Sequence, residues 1–183
     1  MDPTKLSREM ELGAGGGEAA RPKQIDCGDL NMRIARDGTW FYHGSPIGRK
    51  PLVKLFASVL RREENGEYWL VTPVERGRIE VEDAPFTAVE LTVTGGGRDQ
   101  ELDFRTNLDD WVAAGPDHPL RVADGGGRSG PRPYVLVRDR LEACVLRPVF
   151  YELVQLGQRR GDGEFGVWSR GAFFPLGRLD PSA

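Results

Sequence analysis

The chain has 183 residues, with 25 Lys and Arg against 28 Asp and Glu, so its formal net charge is -3. Such a length can bury a sizeable core in one or two domains, and the lack of a basic excess argues against general binding to nucleic acid or to an anionic membrane. No apolar stretch approaches the roughly 20 residues that cross a bilayer, and the N-terminus lacks the apolar core of a signal peptide, so we expect a cytoplasmic protein.

Residues 1–24 are predicted to form a disordered or loosely docked tail. They are rich in glycine, alanine and charge, and they include the triplet Gly15-Gly16-Gly17. A segment of this composition buries too little apolar surface to offset the entropy lost on ordering. Order is therefore expected to begin near Ile25.

Residues 25–85 are predicted to form the first α+β domain. The turn Asp37-Gly38 joins two strands. Pro51 then suits the first position of a helix, and Asn65-Gly66 suits its end. Five apolar residues share one face of this helix because they recur at helical spacing: Leu52, Leu55, Phe56, Val59 and Leu60. Further strands are expected at 68–71 and 78–82.

Residues 86–183 are predicted to form the second domain. Apolar and polar residues alternate on both sides of the glycines at 95–97, which indicates an antiparallel hairpin with one solvated face. Trp111 is expected in a short turn or helix. Strands should follow at 118–122, 134–138 and 141–146, and Arg147-Pro148 should open a second helix.

The two domains share an order of predicted elements. In each, two strands lead to a basic residue and a proline, a helix, a turn and an aromatic strand. Asp162-Gly163-Glu164-Phe165 corresponds in this order to Asn65-Gly66-Glu67-Tyr68. We interpret the pattern as an internal duplication, although two such units can also arise by chance in an α+β chain. The predicted fold is α+β with two similar halves, each a mostly antiparallel sheet or partial barrel with one packed helix.

Both predicted helices begin beside arginine, at Arg49-Lys50-Pro51 and at Arg147-Pro148. The N-terminus of a helix already carries partial positive charge, so a cation there is unfavourable unless an anion offsets it. Free backbone N–H groups and an arginine together bind phosphate or carboxylate well. The pattern suggests an anion site, and the alternative is that both arginines extend into water or pair with acidic residues.

Residues with catalytic or metal-binding chemistry are sparse. His43 and His118 have no partner at ligand spacing, and the two cysteines match no metal or redox motif, which favours a reduced chain over a disulfide-bonded one. The glycine triplets lack the Lys-Ser/Thr of a phosphate-binding loop. An enzyme would have to assemble its acid and base from these histidines, Asp109 and Asp110. We therefore predict no catalytic residue, no metal and no cofactor.

The sequence also resembles the domain of unknown function 1285 family of bacterial proteins. The resemblance covers residues 26–177 and is carried by the run GDLNMRIARDGTWFYHGSPIGRKPLVKLFASVLRREENGEYWLVTPVE and by EDAPF, GPDHPLRV, PYVLVRDRLEA and FGVWSRGAFFPLG. It implies a duplicated α+β fold whose C-terminal half is superficially like a pleckstrin-homology domain. It also implies a site at the seam of the two halves for a nucleotide-like ligand, and a role in bacterial signal transduction. No catalytic residue is carried over, because the family has no known activity.

These observations favour a non-enzymatic ligand-binding or sensor protein that binds a nucleotide-like or other anionic small molecule at the seam. The candidate ligand-binding residues supply charge, a stacking face or polar contacts, and they are Arg49, Arg138, Arg147, Tyr134, Trp168, Asn107, His118 and Ser169. The first alternative is an adaptor that holds a protein partner at the seam or at a sheet edge without a small-molecule ligand. A small enzyme is the third candidate.

Overall fold

The computed structural model describes residues 24–124, 130–161 and 163–178. The chain divides into two units, with the boundary between Asp83 and Ala84. All of the predicted tail except Gln24 lies outside the described residues. Neither of the described helices has the length and hydropathy that a membrane span needs.

The N-terminal unit consists of one six-stranded sheet and one helix. In hydrogen-bonding order the strands are β3 (Ser45–Pro46), β2 (Trp40–Tyr42), β1 (Ile25–Ile34), β6 (Glu75–Val81), β5 (Tyr68–Val71) and β4 (Leu60–Arg62). The central pair β1 and β6 is parallel, and the other neighbouring pairs are antiparallel. Helix α1 (Lys50–Ser58) connects β3 to β4. The predicted Asp37-Gly38 hairpin is confirmed by the pairing of β1 with β2.

Helix α1 is shorter than the sequence predicts. It ends at Ser58, and the predicted continuation through Leu60 to Asn65-Gly66 is wrong. Leu60 begins β4 and pairs with Leu70, and Asn65-Gly66 is the turn between β4 and β5. The apolar spacing misleads because Leu60 is fully buried by strand pairing rather than by the helix.

The core of the N-terminal unit lies between α1 and one face of the sheet. Phe56 of α1 and Trp40 of β2 are both almost completely buried, and their rings stack with centroids 6.2 Å apart. The opposite face of the sheet is ionic. There Arg76 of β6 reaches Asp26 of the neighbouring β1 at 3.4 Å and Glu63, just after β4, at 3.3 Å.

The C-terminal unit contains a six-stranded and a three-stranded sheet. The larger sheet has the order β10 (Leu120–Ala123), β11 (Arg132–Arg138), β12 (Leu141–Val145), β7 (Phe86–Thr94), β8 (Glu101–Thr106) and β9 (Trp111–Ala113). Its central pair, β12 and β7, is again parallel. The smaller sheet is the antiparallel meander β13 (Gln158–Arg160), β14 (Glu164–Ser169) and β15 (Ala172–Arg178). A 3-10 turn at Gly97–Asp99 lies between β7 and β8.

Helix α2 (Arg147–Gln155) joins the two sheets of the C-terminal unit and packs against β7 and β14. Val149 and Leu153 are its buried residues, as the sequence predicts. The prediction of a turn or helix around Trp111 is wrong, because Trp111 begins β9 and pairs with Arg105. β15 lies beside β10, so the smaller sheet continues the curve of the larger one as a partial barrel.

The mostly-sheet α+β class is confirmed, with two six-stranded sheets and two α-helices among the described residues. The order helix, short strand, strand, strand occurs in both units, as α1-β4-β5-β6 and as α2-β13-β14-β15. The sheets nevertheless differ. β6 pairs with β5 and also with β1, so all three belong to one six-stranded sheet, whereas β15 pairs with β14 in a separate three-stranded sheet. Internal duplication therefore stays a prediction.

Candidate functional site

A groove of about 900 Å³ lies in the C-terminal unit between the end of β10 and the three-stranded sheet. Residues 122–124 and 130–131 line one wall, and residues of β13, β14 and β15 line the other. The groove lies where β10 and β15 are neighbours, and these two strands belong to different sheets.

Strand register places three charged residues in a row on the sheet wall. Arg160 of β13 is the cross-strand partner of Glu164 in β14, and Glu164 is in turn the partner of Arg178 in β15. Direct partners in an antiparallel sheet share a face, with Cβ atoms about 4.5–5.5 Å apart. The row therefore presents two guanidinium groups on either side of one carboxylate.

The guanidinium of Arg160 is held from two sides. Its Nε donates to Glu164 Oε2 at 3.2 Å, and its Nη2 lies 3.0 Å from the same oxygen in an ion pair. Its Cζ lies 4.3 Å from the centroid of the Phe173 ring. The ring fits there because Gly166 has no side chain, and a Cβ at this position would lie 2.7 Å from Phe173 Cζ. Arg160 is thus oriented before any ligand arrives, with donors left over for one.

Arg178, Asp124 and several apolar residues also line the groove. Arg178 is exposed at the end of β15 and forms no ion pair with another residue in the described ranges. Val122, Pro131, Pro175 and Leu176 provide an apolar floor, and Leu176 is only 7% exposed. A groove with an apolar floor and a few charged groups is typical of a site for a small organic molecule.

A second, smaller depression of about 460 Å³ lies in the N-terminal unit and is lined by polar residues. Asn31 and His43 both have left-handed backbones there, with φ of 52° and 46°, and the His43 N–H donates to Asn31 O at 2.9 Å. Non-glycine residues in this conformation often occur at functional sites. Two of its three charged residues are already paired, however, because Asp29 contacts Arg78 and Arg33 contacts Glu82, and the third is Glu80. No group of three or more His, Cys, Asp or Glu in the described residues could hold a metal ion.

Two of the predicted ligand-binding residues bind backbone instead. Asn107 Oδ1 accepts from the Thr87 N–H at 3.1 Å, and the Asn107 N–H donates to Thr87 O at 2.9 Å. Ser169 is fully buried. Its hydroxyl donates to Ala114 O at 2.6 Å and accepts from the Leu102 N–H at 3.0 Å. Both side chains connect separate segments of the C-terminal unit.

Three predicted ring residues are also engaged within the fold. Tyr134 is buried, and the Arg121 guanidinium covers its ring at 4.3 Å. His118 Nδ1 lies 3.0 Å from Leu136 O. Trp168 is half-buried and contacts Phe173 edge to face, with centroids 5.2 Å apart. Trp168 and Arg160 therefore both contact the Phe173 ring.

The predicted arginines lie on three different elements. Arg49 is the exposed N-cap of α1 in the N-terminal unit, and Arg147 is the exposed first residue of α2 in the C-terminal unit. Arg138 at the end of β11 packs over Phe86, 5.7 Å from the ring centroid. None of the eight predicted residues is among the described residues that line the groove. A ligand-binding role for them stays a prediction.

The turn that joins β14 to β15 is held by the start of β8. The Arg170 N–H donates to Gln100 O at 2.9 Å, and Gln100 Nε2 donates to Trp168 O at 2.7 Å. The Arg170 guanidinium also pairs with Glu101. Burial raises the pKa of the nearby Asp103 carboxyl, the Glu101 charge raises it further, and Arg170 opposes both effects. These contacts fix the hairpin whose other end carries the charged row.

Comparison with known proteins gives two family matches and two similar crystal structures. Residues 21–84 match the N-terminal domain of unknown function DUF1285, and residues 85–176 match the C-terminal domain of the protein of unknown function DUF1285. No curated protein matches the sequence.

A DUF1285 family protein from Silicibacter pomeroyi DSS-3 is 46% identical, with 96% of each chain covered and a TM-score of 0.84. A DUF1285 family protein from Shewanella baltica OS155 is 26% identical, with 69% of this chain and 91% of that chain covered and a TM-score of 0.54. The resemblance seen in the sequence is confirmed: the chain belongs to the DUF1285 family.

Proposed function

We propose that this protein is a non-enzymatic ligand-binding protein that binds a small organic anion in the groove of its C-terminal unit. The observation that carries the proposal is the combination of an apolar floor with the Arg160–Glu164–Arg178 row in a groove of about 900 Å³. Known small-molecule sites have volumes of about 300–1,000 Å³, mostly apolar linings and a few polar groups that set orientation.

The proposal includes a cytoplasmic sensor role in bacterial signal transduction, with nucleotide-like compounds among the anions to be tested. The expected likeness of the C-terminal half to a pleckstrin-homology domain belongs to the same proposal. Arg49 and Arg147, which the sequence suggests as anion contacts, offer a competing location for the ligand. The groove is preferred because its arginines adjoin an apolar surface that a ligand body can cover.

The test is a thermal-shift screen of the full chain against organic acids, nucleotides and other phosphorylated metabolites, followed by calorimetric titration of each hit. A ligand at about 100 times its Kd should stabilise the fold by about 2.7 kcal/mol. Arg178→Gln removes a cation that forms no ion pair among the described residues, so we expect about a tenfold weaker Kd with little change in the melting temperature of the free protein.

Arg49→Gln and Arg147→Gln are the matched controls, because both replace an exposed arginine outside the groove. They should leave the Kd of the hit unchanged. If one of them weakens binding while Arg178→Gln does not, the groove is the wrong location. If no compound stabilises the wild type, the proposal of a small-molecule ligand is wrong, and an adaptor that binds a protein partner becomes the favoured function.

One observation favours the adaptor alternative. Three large apolar side chains are exposed at the start of α2 and along its outer side: Leu146 at 37%, Tyr151 at 58% and Val154 at 36%. Tyr151 and Val154 lie three residues apart and so share a helix face. Exposed apolar side chains that cluster in this way are a feature of protein-binding surfaces.

A further inference from the structure

We infer that the groove selects a ligand with an apolar body and a single negative charge, such as an organic carboxylate, over one that carries a doubly charged phosphate. The inference rests on the proposed function and names the chemical class of its ligand. It follows from the order of charges along the Arg160–Glu164–Arg178 row and from the floor beside it.

The row can accept one negative charge. Glu164 is already ion-paired with Arg160, whose Nη2 lies 3.0 Å from Oε2 and whose Nε donates to that oxygen at 3.2 Å. Arg178 is the cation of the row that has no ion-pair partner within the described part of the chain. A guanidinium binds one carboxylate through two parallel hydrogen bonds, so a singly charged acid neutralises the charge of Arg178.

A second negative charge would face Glu164. The direct cross-strand pairing of Arg178 with Glu164 places that carboxylate beside any anion bound to Arg178. Arg160 cannot easily move across to compensate, because the Phe173 ring lies beneath its guanidinium and Glu164 binds its edge. Like charges at such a distance repel. The repulsion from Glu164 therefore cancels part of the binding free energy that a dianion gains from Arg178.

The remaining lining suits an apolar ligand body. Val122, Pro131, Pro175 and Leu176 form the floor and offer carbon surface, and Asp124 is a second carboxylate of the lining that would repel a dianion. A hydrocarbon or aromatic body would bury its surface there, whereas a body rich in hydroxyl groups would leave donors and acceptors unpaired.

The inference can be tested with three probes that share a naphthalene body: 2-naphthol, 2-naphthoate and 2-naphthyl phosphate. At about pH 7.5 they carry none, one and close to two negative charges, because a phosphate monoester has its second pKa near 6. Calorimetric titration of the full-length wild type should give the tightest Kd for the carboxylate, by about tenfold over each of the others.

Two groove variants separate the steps of the argument. Glu164→Gln removes the repelling charge and keeps an acceptor for Arg160, so the ratio of phosphate affinity to carboxylate affinity should rise about tenfold. Arg178→Gln should weaken 2-naphthoate until it binds no better than 2-naphthol. Glu152→Gln removes an exposed carboxylate of α2 outside the groove and should change neither ratio.

The wild-type comparison needs no variant, so a folding defect cannot obscure it. The inference is overturned if the wild type binds the phosphate as tightly as the carboxylate. It is also overturned if Glu164→Gln leaves the ratio of phosphate affinity to carboxylate affinity unchanged. The proposed function stands in both cases. If none of the three probes binds, the inference that the ligand has an apolar body is wrong. If the probes bind but Arg178→Gln affects none of them, they bind elsewhere and the proposed function fails with the inference.

Discussion

Replacing Ser169 with alanine is expected to lower the free energy of unfolding by about 1–3 kcal/mol, because two backbone groups lose a hydrogen-bonding partner in a dry environment. The fully buried hydroxyl donates to Ala114 O and accepts from the Leu102 N–H. Alanine leaves both groups unsatisfied and provides too little room for water to replace the hydroxyl. Urea denaturation of the two proteins, followed by circular dichroism, measures the difference.

Ser58→Ala is the matched control. The Ser58 hydroxyl also donates to a backbone oxygen at 2.6 Å, that of Leu55, but Ser58 is exposed at the end of α1. Water can take over that bond, so the expected change is within about 0.5 kcal/mol. Equal losses in the two variants would show that burial does not set the contribution of Ser169. A stable Ser169→Ala protein with weakened ligand binding would instead support its predicted role as a ligand contact.

Phe56→Ala is expected to cost about 3–5 kcal/mol, the range measured for removal of a buried aromatic side chain. Phe56 is fully buried in α1, and its ring stacks on Trp40 of β2. Truncation leaves a cavity between the helix and the sheet that the surrounding strands cannot close. Native-state amide hydrogen exchange of β1, β2 and β6 measures the change, and their exchange should accelerate.

Lys54→Ala provides the comparison for Phe56→Ala. Lys54 lies on the exposed side of the same helix, and alanine is a strong helix former, so the exchange rates should stay close to those of the wild type. If Phe56→Ala were equally mild, the packing of α1 on the sheet would contribute far less to the stability of the N-terminal unit than its burial indicates.

Local signals in the sequence predicted much of the fold. The turn Asp37-Gly38 and the start of α2 at Arg147-Pro148 depend on residues close together in the chain, and the structure has both. The end of α1 depends on a distant strand. Leu60 pairs with Leu70 and leaves the helix, although its spacing from Phe56 fits one more helical turn.

The groove could not be predicted in the same way. Its charged row unites Arg160, Glu164 and Arg178 through strand pairing, and the sequence pattern predicted neither β13 nor β15 as a strand. The sequence signal for β13 was the basic pair at 159–160, which precedes Asp162-Gly163. Its resemblance to the basic pair at 61–62 before Asn65-Gly66 points to a short strand after each helix.

The polar residues chosen from the sequence illustrate a second limit. Asn107 and Ser169 have side chains that suit ligand contacts, yet both satisfy backbone groups of the C-terminal unit. Residue type alone cannot distinguish these uses, because the same donors and acceptors serve a strand or a ligand equally well. Tyr134 is similar, since its ring is covered by Arg121.

The missing side chain at Gly166 links shape to charge in this protein. The Phe173 ring occupies the space above Gly166, and the guanidinium of Arg160 rests on that ring. A methyl group at residue 166 would overlap the Phe174 backbone oxygen and lie 2.7 Å from Phe173 Cζ, so it would disturb both the pairing of β14 with β15 and the ring on which Arg160 rests. Ligand preference in such a protein can therefore be tuned from beneath the binding surface, by the size of a residue that the ligand never contacts.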